Sequence, residues 1–269
     1  MSDDPSFRKS VRGHMRRICL INNYNYGRFL TACLRSAVLQ SVPFDLILVV
    51  DDGSTDESRL ILEGLQELTP TLFPHYQENG GQLSCFNAAV PYIHPDDMVW
   101  CLDSDDLYPL NYVESVLACH PFEVADFVFS EVTEFNDIDD APKVCRVAAE
   151  PPLLIPASAH LTRKTRCWIG APTSTLVLKG ELFLKLLPYP HLADWRVRAD
   201  DILVLGASLV GARKLYLPGL RVGYRVHGGN RYYGSEAFYG YLTPAEAAVR
   251  AAVLERLFDY YRLPPDTTL

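Results

Sequence analysis

Short apolar runs alternate with amphipathic stretches along the first half of the chain. Ile18 to Ile21 reads as a buried strand, and Leu30, Cys33, Leu34, Ala37 and Val38 then recur at helical spacing on one face. Leu46 to Val50 is a continuous apolar run ending in Asp51 and Asp52, the pattern of a parallel strand covered on both faces. Gly53 turns the chain, and Ser54 with Glu57 forms a capping box ahead of a helix carrying Leu60, Ile61, Leu62, Leu65 and Leu68. A third strand ends near Tyr76, and a short helix follows Asn79, Gly80 and Gly81. Met98 to Leu102 is another buried strand, closed by Asp103, Ser104, Asp105 and Asp106; Pro109 starts the next helix and Phe127 to Phe129 the next strand.

This alternation predicts an α/β fold built on an open, mostly parallel twisted sheet flanked by helices. Ligands of such sheets bind beyond the carboxyl ends of the strands. Polar residues gather at those ends: Asn22 to Asn25, Asp51 with Asp52, and Asp103 to Asp106. From Thr133 to Arg166 the pattern loosens into an irregular excursion broken by Pro142, Pro151, Pro152 and Pro156. Order returns with a strand from Thr175 to Leu178, a helix from Asp200 to Val210 and two short strands around Leu215 and Val222. A last helix is capped by Thr243, with Pro244 in its first turn and Glu246 closing the box. Its Ala247, Ala248, Ala251, Leu254 and Phe258 recur at helical spacing, a face for the sheet or for a second copy of the chain in a homodimer.

Residues 16–269 are thus expected to form a single domain, with a solvated arm over residues 1–15. Within it fall a first α/β half (16–131), a smaller second half (132–242) and a C-terminal helix and tail (243–269). The composition, 269 residues with 48% hydrophobic and 22% charged, is that of a chain that buries a core. A net charge of −8 argues against a nucleic-acid partner held by bulk positive charge. The basic residues Arg8, Lys9, Arg12, Arg16 and Arg17 precede the first strand without the apolar run of a secretory signal. No apolar stretch approaches the roughly 20 residues of a membrane helix, which leaves at most peripheral contact with a membrane. Seven cysteines, an odd number without a Cys-x-x-Cys pair, point to reduced thiols and a cytoplasmic location.

The chemistry concentrates in the acidic strand ends. Carboxylates as close as Asp103, Asp105 and Asp106 repel unless a cation lies between them, and oxygen ligands favour a hard divalent ion such as Mg²⁺ or Mn²⁺. Taken alone, that run reads equally as a solvated turn with helix-cap residues.

Four segments in order strengthen the first reading: Asn23-Tyr24-Asn25-Tyr26-Gly27, Val50-Asp51-Asp52-Gly53-Ser54-Thr55-Asp56, Asn79-Gly80-Gly81-Gln82 with Asn87, and Leu102-Asp103-Ser104-Asp105-Asp106. With this spacing the chain resembles the family-two glycosyltransferases of the GT-A fold, closely from Ile18 to Asp106 and more loosely afterwards.

The resemblance implies a nucleotide-diphosphate sugar donor, a hydroxyl acceptor and a divalent cation. It places Tyr24 against the nucleotide base, Asp52 or Asp51 as acceptor of a hydrogen bond from that base, and Asp103 toward the ribose or the metal. Asn23, Asn25, Gly81, Gln82, Asn87 and Ser104 belong to the same donor-binding segments, and Asp105 becomes the metal ligand. Ala199-Asp200-Asp201, opening a helix whose small-residue stretch ends at Gly211, resembles the region supplying the catalytic base. Distance to Gly211 favours Asp200, and the family's usual Glu-Asp order favours Asp201; Asp200 is preferred. Tyr224-Arg225-Val226-His227-Gly228-Gly229-Asn230 resembles a late histidine loop, in which His227 would complete the metal shell and tilt it toward Mn²⁺. Arg225, with Arg221 and Arg231, could neutralise diphosphate oxygens. Trp168, Pro172, Thr173 and Ser174 would border the acceptor pocket. Tyr232, Tyr233, Tyr239 and Tyr241, with Gly234 and Gly240 as hinges, would form a lid.

The expected reaction is metal-dependent inverting transfer of a sugar to a polysaccharide, a lipid-linked sugar or a small metabolite. A nucleotidyltransferase, and a non-catalytic domain that only holds a nucleotide sugar, are the rival readings. Dinucleotide-binding, P-loop and Gly-x-Ser-x-Gly signatures are all missing.

Overall fold

The computed structural model describes residues 15–119, 122–145, 150–228 and 243–262. Its centre is an eight-stranded sheet. The strands are β1 (Arg17–Asn23), β2 (Leu46–Asp51), β3 (Leu72–Tyr76), β4 (Met98–Asp103), β5 (Phe127–Phe135), β6 (Leu153–Ile155), β7 (Val177–Lys179) and β8 (Lys214–Arg225). They lie in the order β3-β2-β1-β4-β7-β5-β8-β6. β3, β2, β1 and β4 run parallel, as does the β5–β8 pair, while β7 is antiparallel to β4 and β5, and β6 to β8.

Alternation along β1 explains why the strand reads as wholly apolar. Ile18 and Leu20 join one core layer, and Cys19 and Ile21 the other. The second layer receives α1 (Gly27–Val38), α2 (Ser58–Gln66) and α4 (Tyr112–Leu117). The first receives α3 (Gln82–Ala89), α6 (Gly180–Leu186), α7 (Asp200–Leu209) and α8 (Pro244–Tyr260). In α1 the buried residues are Leu30, Cys33, Leu34 and Ala37, the stripe the sequence marks. Burying each such leucine contributes roughly 1.5–3 kcal/mol, so covering both faces is what makes the sheet stable.

Local expectations differ in several places. No capping box opens α2: Ser54 Oγ accepts the Asn25 N–H at 2.9 Å, and Asp56 takes the Ser58 N–H at 3.0 Å instead. α4 begins at Tyr112, not Pro109. The excursion after Thr133 contains the end of β5, then β6 and the helix α5 (Ala159–Thr165). The two short strands around Leu215 and Val222 are one strand, β8. Its partners jump from Ser130↔Leu217 to Glu131↔Arg221, so Pro218 and Gly219, at φ 76°, form a bulge within it. In α8 the alanines Ala247, Ala248 and Ala251 are exposed, and Val253, Leu257 and Phe258 enter the core.

Arg16 and Arg17 are not part of a loose arm. They pair with Asp97 and Asp45 at 2.5 and 2.9 Å. The remaining arm, the lid tyrosines, Arg231 and the Glu246 side chain lie outside the described residues. The seven cysteines are unbridged. Among the described residues, no helix is long and apolar enough to cross a membrane.

Candidate active site

The carboxyl ends of β2, β1 and β4 lie side by side, which brings the polar segments of the sequence to one edge. The turn after β2 is locked to the one after β1. Asp51, buried, accepts the Ser54 N–H at 2.9 Å and Asn23 Nδ2 at 2.8 Å. Asn25, at φ 57°, accepts the Thr55 N–H at 2.7 Å. Tyr24 projects from this bracing with 42% of its surface exposed, an open aromatic face at the strand end.

Asp52 is also buried, and the chain itself surrounds it with donors. Gln77 Nε2 lies at 2.6 Å, Asn79 Nδ2 at 2.9 Å, and the Gly80 and Gly81 N–H groups each at 2.8 Å. The role it displays is to fold residues 77–81 around its carboxylate, and Asp51 does the same for its own turn; neither is turned outward toward a base. Gly81 has φ 90°, and an added Cβ would stand 2.5 Å from Arg196 Cα, so this loop presses against the segment leading to α7.

Asp103 to Asp106 divide their tasks. Asp106 accepts the Arg225 N–H at 2.9 Å and the Ser174 hydroxyl at 2.6 Å. Burial and then the carboxylates of Asp105 and Asp103 hold its pKa well above the ordinary range. Asp103 is pushed up to about 7, first by burial and then by Asp105, while hydrogen bonds from Asn22, Thr173 and Gln82 oppose the rise. Asp105 Oδ2 meets His227 Nε2 at 3.0 Å. The imidazole lies 4.7 Å from the Phe29 ring and 5.4 Å from the Tyr26 ring, centroid to centroid, with Arg28 Nη2 3.5 Å from Nδ1. This cradle at the start of α1 has no local signal in the sequence, because the histidine it holds lies 199 positions from Arg28.

Among the described residues no three His, Cys, Asp or Glu side chains gather into a complete metal site. Asp105 and His227 offer one oxygen and one nitrogen, a donor pair suited to Mn²⁺ whose remaining positions a substrate diphosphate can fill. Asn22 Oδ1, Asn23 Oδ1 and Ser104 Oγ are buried at this edge without a hydrogen-bond partner. An unmet buried polar atom costs about 1–3 kcal/mol, a cost that a polar ligand relieves. The residues present therefore fit a divalent cation and a polar ligand at this edge.

The opposite wall is the start of α7. Asp200 is partly exposed, and burial, followed by Asp201 and then Asp103, pushes its pKa up to about 7. Asp201 is only 1% exposed and is paired with Arg198 at 3.3 Å and with Arg250. Gln82 joins the two walls: Oε1 accepts the Ala199 N–H at 2.9 Å, and Nε2 approaches Asp103 Oδ1 at 3.3 Å and Thr173 Oγ1 at 3.4 Å.

Some expected ligand contacts are supports instead. Ser174 is fully buried, and its hydroxyl accepts the Asp103 N–H at 3.0 Å while donating to Asp106, so it braces the wall rather than bordering an acceptor. Asn87 is engaged by the Tyr189 backbone, donating at 2.8 Å and accepting at 2.9 Å. Arg225 is buried, with Nε donating to the Asp105 carbonyl at 2.8 Å, and it lies over the Phe29 and Phe135 rings. It is therefore a clamp on the acidic turn, and Arg221 is paired with Glu131 at 2.9 Å. Trp168 is 38% exposed and stands between two clefts of about 180 and 590 Å³.

This sheet, with its acidic strand ends and flanking helices, is the α/β architecture of GT-A glycosyltransferases. It is similar to S. aureus TarS in complex with UDP-GlcNAc, with a TM-score of 0.62 at 19% identity over 91% of this chain and 73% of that one. It is also similar to the mannosyltransferase PcManGT from Pyrobaculum calidifontis in complex with GDP-Man and Mn²⁺, with a TM-score of 0.55 at 16% identity over 93% and 74%. The profile of Glycosyl transferase family 2 matches residues 19–163. An uncharacterized glycosyltransferase of Nostoc sp. is 30% identical over 221 residues, 81% of this chain and 67% of that protein. The glycosyltransferase GlyG of Streptococcus pneumoniae is 27% identical over 117 residues, 43% of this chain and 38% of that one. The chain belongs to glycosyl transferase family 2 and is a glycosyltransferase, which sets aside the nucleotidyltransferase and non-catalytic readings.

Proposed function

We propose that this glycosyltransferase moves a sugar, with inversion, from a nucleotide-diphosphate donor to a hydroxyl acceptor in a metal-dependent reaction. The observation that carries the reading is the Gln82 bridge, which holds the acidic end of β4 beside the start of α7. Displacement at the anomeric carbon needs a base on one side and a stabilised leaving group on the other.

Asp200 is the base: it takes the proton from the acceptor hydroxyl as the oxygen attacks. Asp201, held between two arginines, is the poorer candidate. Tyr24 offers its open face to the nucleotide base, and the unmet Asn22, Asn23 and Ser104 atoms receive donor hydroxyls or N–H groups. Asp105 and His227 would hold a divalent ion, with Asp103 beside them. When bound, that ion supplies positive charge to the departing diphosphate.

The test is hydrolysis of UDP- and GDP-sugars without acceptor, with Mn²⁺ or Mg²⁺ and with EDTA. Release of nucleoside diphosphate that chelation abolishes is expected, and its absence with every donor sinks the proposal. With an acceptor, nuclear magnetic resonance of the first-formed glycoside reads the anomeric outcome.

A further inference from the structure

A cleft of about 590 Å³ opens between the segment after α5 and the strands β5 and β8; its wall includes Phe129, Glu131, Trp168, Pro172 and Tyr216. That volume falls within the roughly 300–1,000 Å³ of small-molecule sites. The strand register fixes its place relative to the acidic turn. Trp100 of β4 pairs with Val177 of β7, which pairs in turn with Val128 of β5. Both pairings are antiparallel, so β4 and β5 run the same way. Three residues further on, Asp103 and Glu131 therefore stand level, two strand spacings or roughly 10 Å apart. They also share a face. Val99 and Cys101 of β4 and Phe127 and Phe129 of β5 enter the core layer that holds α7, and alternation turns Asp103 and Glu131 to that side as well. Gly170 presses on α7 itself, since an added Cβ would stand 2.7 Å from Val204. Thr173, directly after Pro172, meets Gln82 Nε2 at 3.4 Å. The cleft thus adjoins the acidic edge on the β5 side, away from β1 and β2, and on the face that carries α7 and Asp200.

Its surface is aromatic, with one paired charge. The Tyr216 and Phe129 rings stack with centroids 5.2 Å apart at 24°, and Trp168 is 38% exposed. The Tyr216 hydroxyl donates to Glu131 at 2.6 Å, and Arg221 pairs with the same carboxylate at 2.9 Å. The hydrogen bond from Tyr216, joined by Arg221, holds the Glu131 carboxyl below its usual range, so it is an anion at neutral pH. Among the described residues no Lys, Arg or His lines the cleft. An acidic ligand would meet the Glu131 charge with no cation of the lining to balance it. A sugar ring instead lays its C–H faces on the aromatic planes, and an ionised carboxylate, with about four acceptor positions, takes its hydroxyls. Building on the transferase reading above, we infer that this cleft holds the acceptor and that the acceptor is an uncharged sugar. Its ring lies on the aromatic surface of Trp168 and Tyr216, and its attacking hydroxyl is directed to Asp200.

The test uses the full chain with Mn²⁺ and whichever of UDP or GDP raises its melting temperature more, so that the diphosphate position is filled. Trp100 and Trp195 are fully buried, so iodide quenching of tryptophan fluorescence reads Trp168. The ligands are the methyl glycosides of glucose, galactose, mannose and N-acetylglucosamine, the methyl glycosides of glucuronate and galacturonate, and phenol as an aromatic that is not a sugar. At least one neutral glycoside is expected to shield Trp168 from iodide and, by calorimetry, to bind about tenfold tighter than either uronide or phenol. Trp168→Leu and Tyr216→Leu, both at partly exposed positions, are each expected to weaken that glycoside about tenfold, with circular dichroism as the fold control. Glu131→Gln, which keeps the shape, is expected to narrow the gap between neutral and acidic sugars at least threefold. No shielding by any neutral glycoside, a uronide or phenol binding as tightly as the best of them, unchanged affinity in both aromatic variants, or an unchanged gap in Glu131→Gln overturns the inference. A protein that hydrolyses a nucleotide sugar yet gives any of these results keeps its transferase reading and loses only the neutral acceptor; one that hydrolyses none loses that reading instead.

Discussion

The Gln82 side chain accepts the Ala199 N–H at 2.9 Å, across 117 positions of sequence, and thereby ties the helix that bears Asp200 to the acidic end of β4. Its Nε2 reaches Asp103 at 3.3 Å from the same side chain. One amide thus sets the separation between the proposed base and the proposed leaving-group site.

Gln82→Met keeps the bulk and loses all three side-chain hydrogen bonds, to Ala199, Asp103 and Thr173. Each bond is worth about 1 kcal/mol in stability, so the melting temperature should fall by only a few degrees. The turnover of sugar transfer should fall at least tenfold, because misplacing a reacting group by even ~1 Å can cost about a hundredfold. Gln82→Glu should be worse, since it retains the acceptor for Ala199 but sets a negative charge beside Asp103. Steady-state kinetics of both variants, with circular dichroism as a fold control, decides the matter; unchanged turnover in both would remove the positioning role.

The base assignment carries its own pH signature. A carboxyl raised to about 7 is protonated below that value and able to accept a proton only above it, so transfer should rise with pH through about 7 and level off. Asp201 is part of the cause of the rise, and removing its negative charge lowers the Asp200 pKa. The ascending limb of Asp201→Asn should therefore move toward acid, while Asp200→Asn should abolish transfer with donor binding retained. A limb that stays in place in Asp201→Asn, or an active Asp200→Asn, assigns the base elsewhere.

The Asp105–His227 pair predicts a metal preference. Asp105→Ala should abolish both transfer and Mn²⁺-dependent nucleotide binding. Imidazole favours Mn²⁺ over Mg²⁺ relative to a purely oxygen donor set, so His227→Asp should lower the ratio of activity with Mn²⁺ to that with Mg²⁺. Activity titrations with each ion measure that ratio directly, and an equal ratio in wild type and variant excludes the histidine from the metal shell.

What the sequence makes legible here is what is local. Asp51-Asp52 and Asp103 to Asp106 each end a run of apolar residues, so their placement at one sheet edge follows from the β/α alternation. Their tasks did not follow, because burial and partners decide them. Asp52 and Asp106 turn inward to donors from the chain, and Asp105 meets His227 from 122 residues away, a pairing that the family resemblance and not the local spacing implied. Ser54 and Glu57 match a capping pattern, yet Asn23 and Asn25 from the neighbouring strand end compete for the Ser54 hydroxyl and win. Leu215 and Val222 read as two short strands, whereas the β5 ladder carries one strand across the bulge at Pro218 and Gly219.

Lys214 offers a prediction that is independent of catalysis. It is fully buried, donates to the carbonyls of Ile169 at 2.6 Å and Val204 at 2.8 Å, and so links the segment after Trp168 to α7. Burial lowers its pKa to about 7 from an ordinary 10.5. Between those values the unfolded chain binds a proton that the folded chain does not, so this group makes stability rise with pH there and fall as pH drops toward 7. The amplitude is on the order of a few kcal/mol, reduced by the two carbonyl contacts. Lys214→Met leaves those carbonyls without the ammonium but removes the titration. The difference in unfolding free energy between variant and wild type should therefore change steadily from pH 7 to pH 9 in favour of the wild type. Urea melts at three pH values across that window measure it; a pH-independent difference would show that Lys214 keeps its proton in the folded protein.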